Sequence, residues 1–364
     1  KFNSAGSLVW HTFFMVPECE EGFISRDVAV DNNGNIYVVG HFQASWNWER
    51  AFVYKFNSSG EYVHHLLWGN SGETKAAAVT VYDGYVYVTG GTNTDFINTP
   101  DLREHDLSGM LDIFLVKLDT NLITQWYTFL GGIWDNRADD IEFDSNGMVY
   151  LSGYSDGPWL DAGTPVQPYV VDDEESRSFS AKYDIANKFI EWHTFFGHGG
   201  IYIQSKIRLA LSGGNIYLTG DSNATWGEPI REYVSVQNAH DAFVAKLNNN
   251  GVLQWNTFLG ASYLDYGCDI AANGDNVYVT GTSEQSWGDS PLRPKYPGEN
   301  LDTFVANLDT DGILQWNTFL GGSNGDKVSA ITFFDNFLYI AGHTYVATWG
   351  NPLNPYSGGS EDIY

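Results

Sequence analysis

Apolar residues recur along this chain in short alternating runs broken by Asp, Asn and Gly, the two-residue period of half-buried strands. One run repeats almost letter for letter: Leu253-Gln254-Trp255-Asn256-Thr257-Phe258-Leu259-Gly260 returns as Leu314-Gln315-Trp316-Asn317-Thr318-Phe319-Leu320-Gly321. Looser copies begin at Val9, Val63, Gln125 and Glu191. After each copy comes an apolar run closing on glycine, at Gly40, Gly90, Gly153, Gly220, Gly281 and Gly342. A third element, Asp241-Ala242-Phe243-Val244-Ala245-Lys246-Leu247, is echoed at 112–118, 178–183 and 302–308. The repeats open at Lys1, Lys55, Lys117, Lys182, Lys246 and Asn307, at intervals of 54, 62, 65, 64 and 61 residues.

Several short strands in each of six units predict an all-β fold, a six-bladed β-propeller with four-stranded antiparallel blades and one domain over residues 1–364. Within a unit, a short strand A (Val28–Val30 in the first) turns through Asp31-Asn32-Asn33-Gly34 into strand B, which ends at Gly40. Strand C carries the Phe-Val-Ala-Lys pattern and strand D the Trp-x-Thr-Phe pattern. The A–B and C–D links are tight Asp/Asn/Gly turns. Asp309-Thr310-Asp311-Gly312 is one of these, since it lacks the later acids of a calcium loop. The B–C links are long, 19 to 23 residues, except for 9 in the first unit. The chain begins with the tail of a C strand and a whole D strand, and stops at the head of a C strand. Residues 7–14 are therefore expected to complete the blade holding residues 328–364, a Velcro closure that removes exposed edges.

Composition narrows the function classes. Forty-five acidic against 18 basic residues leave a net charge of -27. Nucleic acid and anionic membrane, which demand clustered Lys and Arg, are poor partners for it. No 18-residue apolar stretch spans a bilayer. Cys19 and Cys268 are the only cysteines, and neither belongs to a CxxC. Zinc-ribbon and thioredoxin readings therefore fail, and whether the two pair stays open. No Gly-x-Ser-x-Gly, phosphate loop or His-Glu-x-x-His is present, which sets those enzyme classes aside.

The three motifs in fixed order, with Asn276-Val277-Tyr278-Val279-Thr280-Gly281 as the second, resemble the SBBP-type β-propeller repeat of bacteria and archaea. The resemblance covers essentially the whole chain, although His64-His65-Leu66-Leu67 replaces the Trp-x-Thr-Phe pattern of one unit. It implies a secreted or cell-surface setting and a binding or structural role. It brings no catalytic motif to transfer.

What recurs in every unit is read as scaffold. Trp10, Trp126, Trp192, Trp255 and Trp316 share one slot in strand D, and His11 and His193 share the next with Tyr127, Asn256 and Asn317. Trp46, Phe96, Trp159, Trp226, Trp287 and Trp349 recur in the B–C links as loop anchors. Departures from the repeat are the candidate chemistry. The slot before each A-strand core holds Asp27, Ala78, Asp140, Arg208, Asp269 and Ala330. Its carboxylates either bond to backbone amides of neighbouring loops or, with Arg208, line a polar pocket. The slot after the B-strand glycine holds His41, Gly91, Tyr154, Asp221, Thr282 and His343. Two histidines with several aspartates are potential ligands for a divalent cation, yet no local spacing marks a metal site. No cofactor is expected, a divalent cation such as calcium being left open. The short B–C link and the lengthened Met15–Arg26 segment coincide in the first unit. The rim there is expected to be notched, with Glu20, Glu21, Trp46 and Trp48 beside it.

The expected function is a non-catalytic extracellular module that binds a glycan or a protein partner through its loop-rich face, self-assembly being a variant. The alternative is a carbohydrate-active enzyme, a glycoside hydrolase or lyase, whose paired carboxyls would come from Asp27, Asp140 and Asp269.

Overall fold

The computed structural model describes residues 1–3, 7–14, 21–45, 48–69, 71–97, 103–159, 162–170, 176–197, 206–234, 236, 239–298, 300–345, 350 and 362–363. Among these every regular element is a strand. The strands form six antiparallel sheets: β1 (Glu21–Val30), β2 (Ile36–Ser45), β3 (Trp48–Phe56) and β4 (Tyr62–Trp68) make the first. The second holds β5 (Thr74–Tyr82), β6 (Tyr85–Thr92), β7 (Asp112–Leu118) and β8 (Thr124–Leu130). The third holds β9 (Asn136–Phe143), β10 (Met148–Ser155), β11 (Arg177–Asp184) and β12 (Phe189–Phe196). The fourth holds β13 (Arg208–Ser212), β14 (Asn215–Ser222), β15 (Asp241–Asn248) and β16 (Leu253–Leu259). The fifth holds β17 (Asp265–Asn273), β18 (Asn276–Ser283), β19 (Asp302–Asp309) and β20 (Leu314–Leu320). The sixth has three strands, β21 (Asp326–Phe334), β22 (Phe337–Thr344) and the two-residue β23 (Asp362–Ile363).

Two readings of the first unit are corrected. Strand A is ten residues, not three: β1 starts at Glu21, so half of the expected Met15–Arg26 link is strand, kinked by irregularities after Glu21 and Ser25. The B–C link shrinks further, because β2 and β3 continue toward each other until residues 46–47 alone join them. Within the first residues, Leu8 makes an isolated bridge to Phe2.

The sheets fall into two compact units, one of residues 1–171 and 179–193, the other of residues 172–178 and 194–364. In the first unit Tyr37, Val39, Val53 and Trp68 interlock with Val79, Val88, Phe114 and Val116 of the next sheet. In the second, Tyr217, Val244 and Leu259 do the same with Ile270, Val279, Phe304 and Phe319. Burial at about 25 cal/mol per Å² makes these sheet-on-sheet faces the main stabilising term.

The repeated letters are joints between sheets. Lys246 closes strand C: its ammonium lies over the Tyr217 ring and reaches the Thr310 carbonyl of the next sheet's turn at 2.8 Å. Lys55 does the same with Tyr37 and the Thr120 carbonyl. Trp255 adds an indole bond to the same Thr310 carbonyl, and its ring lies where a side chain on Gly312 would stand. The glycine that ends strand B answers to a bulge in strand A. A Cβ on Gly40 would stand 2.0 Å from the Ile24 carbonyl oxygen, and one on Gly90 1.9 Å from that of Lys75.

The long B–C links run back along the outermost strand of their own sheet. Ile230 donates its amide to the Asn256 carbonyl, and Phe258 donates to Arg231; Leu292 and Asn317, then Phe319 and Arg293, repeat the pair. Val166 reaches the His193 carbonyl in the third sheet, and Arg103 bridges Tyr127 in the second, in parallel. The links thereby cover an edge that would otherwise be open to pairing. Their anchors are buried: Trp159, Trp226 and Trp287 are 2%, 9% and 4% exposed. The neighbouring slot in strand D holds each anchor in place. Asn256 donates to the Trp226 carbonyl, Asn317 to that of Trp287, and His193 stacks on Trp159 at 5.3 Å. His193 is a packing group whose burial drives its pKa down to about 4. Trp287→Ala is accordingly expected to cost about 3–5 kcal/mol, read as a lowered melting temperature.

Candidate functional site

At the rim of the first unit, strand starts from three consecutive sheets bring unlike charges together. The head of β3 pairs in parallel with the residues before β5, through the Glu49–Glu73 bridge. The stretch before β9 pairs with that before β7, through Leu111 and Asp135. Lys75 therefore stands between two carboxylates, 2.5 Å from Glu49 and 3.1 Å from Glu73. Glu73 is also 3.3 Å from the Arg137 guanidinium, which lies over the Tyr154 ring at 5.8 Å. The four ion-pair side chains keep between a quarter and a third of their surface exposed, while Glu73 Oε1, which both cations approach, is itself buried.

Room for Arg137 comes from Gly91. Other sheets carry His41, Tyr154, Asp221, Thr282 or His343 at that position. A Cβ there would meet Arg137 Cγ at 3.1 Å. The charges tune one another. Burial and the nearby Asp156 raise the Asp135 carboxyl, against the pull of Arg137. Burial lifts the Tyr154 phenol to about 12, although Arg137 opposes it. Two exposed indoles adjoin network residues in the chain: Trp48, which precedes Glu49, is 46% exposed, and Trp134, which precedes Asp135, is 50% exposed. Sheet-edge carboxylates, a guanidinium and a phenol beside exposed ring faces suit a neutral, hydroxyl-rich ligand.

The residues singled out by the repeat slots are placed as follows. Asp27 accepts the Val28 amide on one oxygen and the Val79 amide of the next sheet on the other, each at 2.8 Å. Asp269 accepts the Ile331 amide at 2.7 Å. In both cases the next sheet carries Ala, Ala78 or Ala330, at the slot just before that amide, so the carboxylate reaches across. Asp140 accepts the Ile141 amide at 2.9 Å. Asp27 and Asp269 thus clasp amides across to the next sheet, whereas Asp140 accepts the amide of its own chain neighbour. Arg208 begins β13 and draws the Cys268 thiol downward, while burial, Asp269 and Asp221 push it up to about 12. Cys268 carries no disulfide, and Cys19 lies outside the described residues.

His41 is buried in β2 between Ile24 and Ala51. His343 lies in β22, opposite Lys327 and edge-on to Tyr345 at 5.6 Å. The two histidines belong to different units. Trp46 and Glu20 lie outside the described residues, as does the side chain of Glu21. Among the described residues no group of three or more His, Cys, Asp or Glu is placed to hold a metal ion. Of the residues named from the sequence, Tyr154 lies under the Arg137 guanidinium of the rim network, and Trp48 precedes Glu49 in β3. Glu49, Glu73, Lys75, Asp135, Arg137 and Trp134 were not singled out, and the one signal for them was glycine at position 91.

No protein-family model and no curated protein matches the chain. Solved structures give distant likenesses. An acylaminoacyl peptidase of Pyrococcus horikoshii aligns at 10% identity and a TM-score of 0.43, over 87% of this chain and 42% of its own. An apocarotenoid oxygenase of Synechocystis aligns at 11% and 0.42, over 84% and 63%. A Trypanosoma rangeli sialidase in complex with sialic acid aligns at 10% and 0.41, over 100% and 55%. The chain thus spans less than two thirds of each of these proteins, and its fold is read from its own antiparallel sheets.

Proposed function

We propose that this chain is a non-catalytic, extracellular or cell-surface binding module whose ligand is a glycan. The observation that carries the reading is the rim network of Glu49, Lys75, Glu73 and Arg137, with exposed Trp48 and Trp134 one residue away in the chain from Glu49 and Asp135. Ion-paired carboxylates and a guanidinium offer fixed acceptors and donors to sugar hydroxyls. An exposed indole offers a face to the apolar side of a sugar ring. Trp48→Ala is expected to weaken glycan binding about tenfold, the scale of a lost aromatic platform, with an unchanged melting temperature. Unchanged affinity with a lower melting temperature would make Trp48 a structural residue and remove this reading.

The second reading, a carbohydrate-active enzyme, is favoured by one observation: Asp135 is raised, as a general acid must be. Binding ranks above it because Glu49 is engaged by Lys75, and Glu73 by Lys75 and Arg137, which leaves neither as an unencumbered nucleophile or base. Release of reducing sugar from a bound glycan, abolished by Asp135→Asn, would reverse the ranking.

The same proposal includes a six-bladed propeller closed by the first strand, with residues 7–14 supplying the strand that the sixth sheet lacks. It is supported by a repeated joint. The Trp10 ring lies 2.7 Å from where a Cβ on Gly60 would stand, the relation of Trp255 to Gly312, and Trp255 belongs to the outer strand of the preceding sheet.

A further inference from the structure

We infer that the long link of the fifth sheet encloses a binding pocket for a single neutral sugar ring, a site that shares no residue with the rim. A hollow of about 320 Å³ lies between the end of strand B and the end of the link. Glu284, Gln285 and Ser286 line one side of it, and Lys295, Tyr296 and Pro297 the other. Small-ligand pockets run from roughly 300 to 1,000 Å³, so this volume suits one ring rather than a chain of them.

The fourth sheet shows how the repeat fills this space. The Arg231 and Arg293 carbonyls accept the Phe258 and Phe319 amides, which sets the two links in register and makes Tyr233 the counterpart of Lys295. Likewise Asn223 and Glu284 each follow the last residue of strand B, in β14 and β18. Tyr233 crosses from its link to the end of strand B. Its hydroxyl donates to the Asn223 and Ala239 carbonyls, each at 2.9 Å, and its ring meets Phe258 edge-on at 5.5 Å. Lys295 makes no such crossing. Its ammonium turns to Asp302 at 3.4 Å and donates to the Tyr296 and Gly298 carbonyls at 3.4 and 3.3 Å. With 3% of that side chain exposed, the ion pair lies inside and pins the end of the link to the start of β19. The gap that a tyrosine spans in one sheet is thus left open in the next, with its far wall held. A wall fixed before binding lowers the cost of ordering the site.

The lining sets the class of ligand. Tyr296, 48% exposed, offers a ring face to the apolar side of a sugar, and Pro297 extends that wall. The Glu284 carboxylate holds the Leu264 amide at 3.4 Å, a long bond that leaves acceptor capacity for a hydroxyl. Gln285 and Ser286, both exposed, add an amide and a hydroxyl that donate and accept. Glu284 and Lys295 carry opposite charges, so the lining asks no net charge of what it holds.

The test is saturation-transfer NMR on the whole chain with free glucose, galactose, mannose and N-acetylglucosamine, and with glucosamine as a cationic control. Each variant is made in the wild type and in Trp48→Ala, so that signal arising at the rim is separated. The expected result is a saturable signal from at least one neutral sugar, present in both backgrounds. Tyr296→Ala should raise its Kd about tenfold, the scale of a lost ring contact. Lys295→Tyr, which supplies the side chain that fills the fourth sheet's gap, should abolish the signal while the melt stays cooperative. If that variant fails to fold, Tyr296→Ala and Glu284→Gln decide, since neither side chain is buried. No signal from any neutral sugar, or a signal from glucosamine alone, overturns the inference. So does a signal that Tyr296→Ala leaves unchanged in the Trp48→Ala background. Loss of glycan binding at the rim alone leaves this signal intact, so the two readings fail separately.

Discussion

Asp241→Asn is expected to raise the melting temperature at pH 8 by several degrees and to change it little at pH 5. Asp241 and Asp265 are fully buried and converge on Gly260, where a Cβ would stand 2.6 Å from Asp265 Oδ2 and 3.0 Å from Asp241 Oδ1. Burial, and then the Asp241 charge, push the Asp265 carboxyl up to about 8, against hydrogen bonds from Ser283 and Ala261 and the nearby Arg231. Folded Asp265 keeps its proton to about pH 8, whereas the unfolded residue releases it near pH 4. The folded state therefore binds more protons across this window, and stability is lost as pH rises through it. An asparagine at 241 keeps an acceptor for the Val234 amide and offers an N–H toward Asp265. It removes the repulsion without leaving either group unpaired. At ~1.4 kcal/mol per pKa unit the recoverable part is on the order of 2 kcal/mol. Asp302, raised to about 6 by burial and by Asp326 against the pull of Lys295, adds a smaller loss of the same sign at lower pH. Thermal melts from pH 5 to 8.5 check this. A wild-type melting temperature that rises toward pH 8 would refute the buried acid pair.

Deleting residues 1–14 is expected to lower the melting temperature by about 10 °C or more. Phe14 packs among Phe23, Tyr54 and Phe56, with ring centroids 5.1 to 5.3 Å away, and Trp10 covers Gly60. Two such rings contribute on the order of 3–5 kcal/mol of burial. The loss would also strip the face of the first sheet that holds Phe42 and Phe52. A loose terminus, by contrast, is trimmed at no cost. An unchanged melt would count against the closure.

Much of this architecture is legible in the letters because a repeated residue performs the same local task in more than one sheet. The Lys246 and Trp255 slots and the glycine closing strand B mark joints between strands and sheets, and Trp159, Trp226 and Trp287 mark where long links are pinned. The path of the long links was not legible. Ile230 and Leu292 bond to the outer strand through backbone groups, which carry no residue signature. The rim network was hidden for a different reason. Glu49, Glu73, Lys75 and Arg137 come from three sheets and meet through parallel bridges at strand starts, where the repeat is weakest. The Asp27 and Asp269 clasps show the converse. A carboxylate that departs from the repeat looked chemically promising, and its partner was the backbone amide beyond an alanine in the next sheet.

The central claim is that the Arg137 rim binds glycan without turning it over. Its most direct test is an array of defined glycans probed with the wild-type chain and with Arg137→Ala, the variant first shown to be folded by a cooperative melt. The account predicts a defined set of wild-type ligands, recovered unchanged after incubation, and loss of that set in folded Arg137→Ala. An array blank for the wild type, or a ligand set that Arg137→Ala retains, would contradict it.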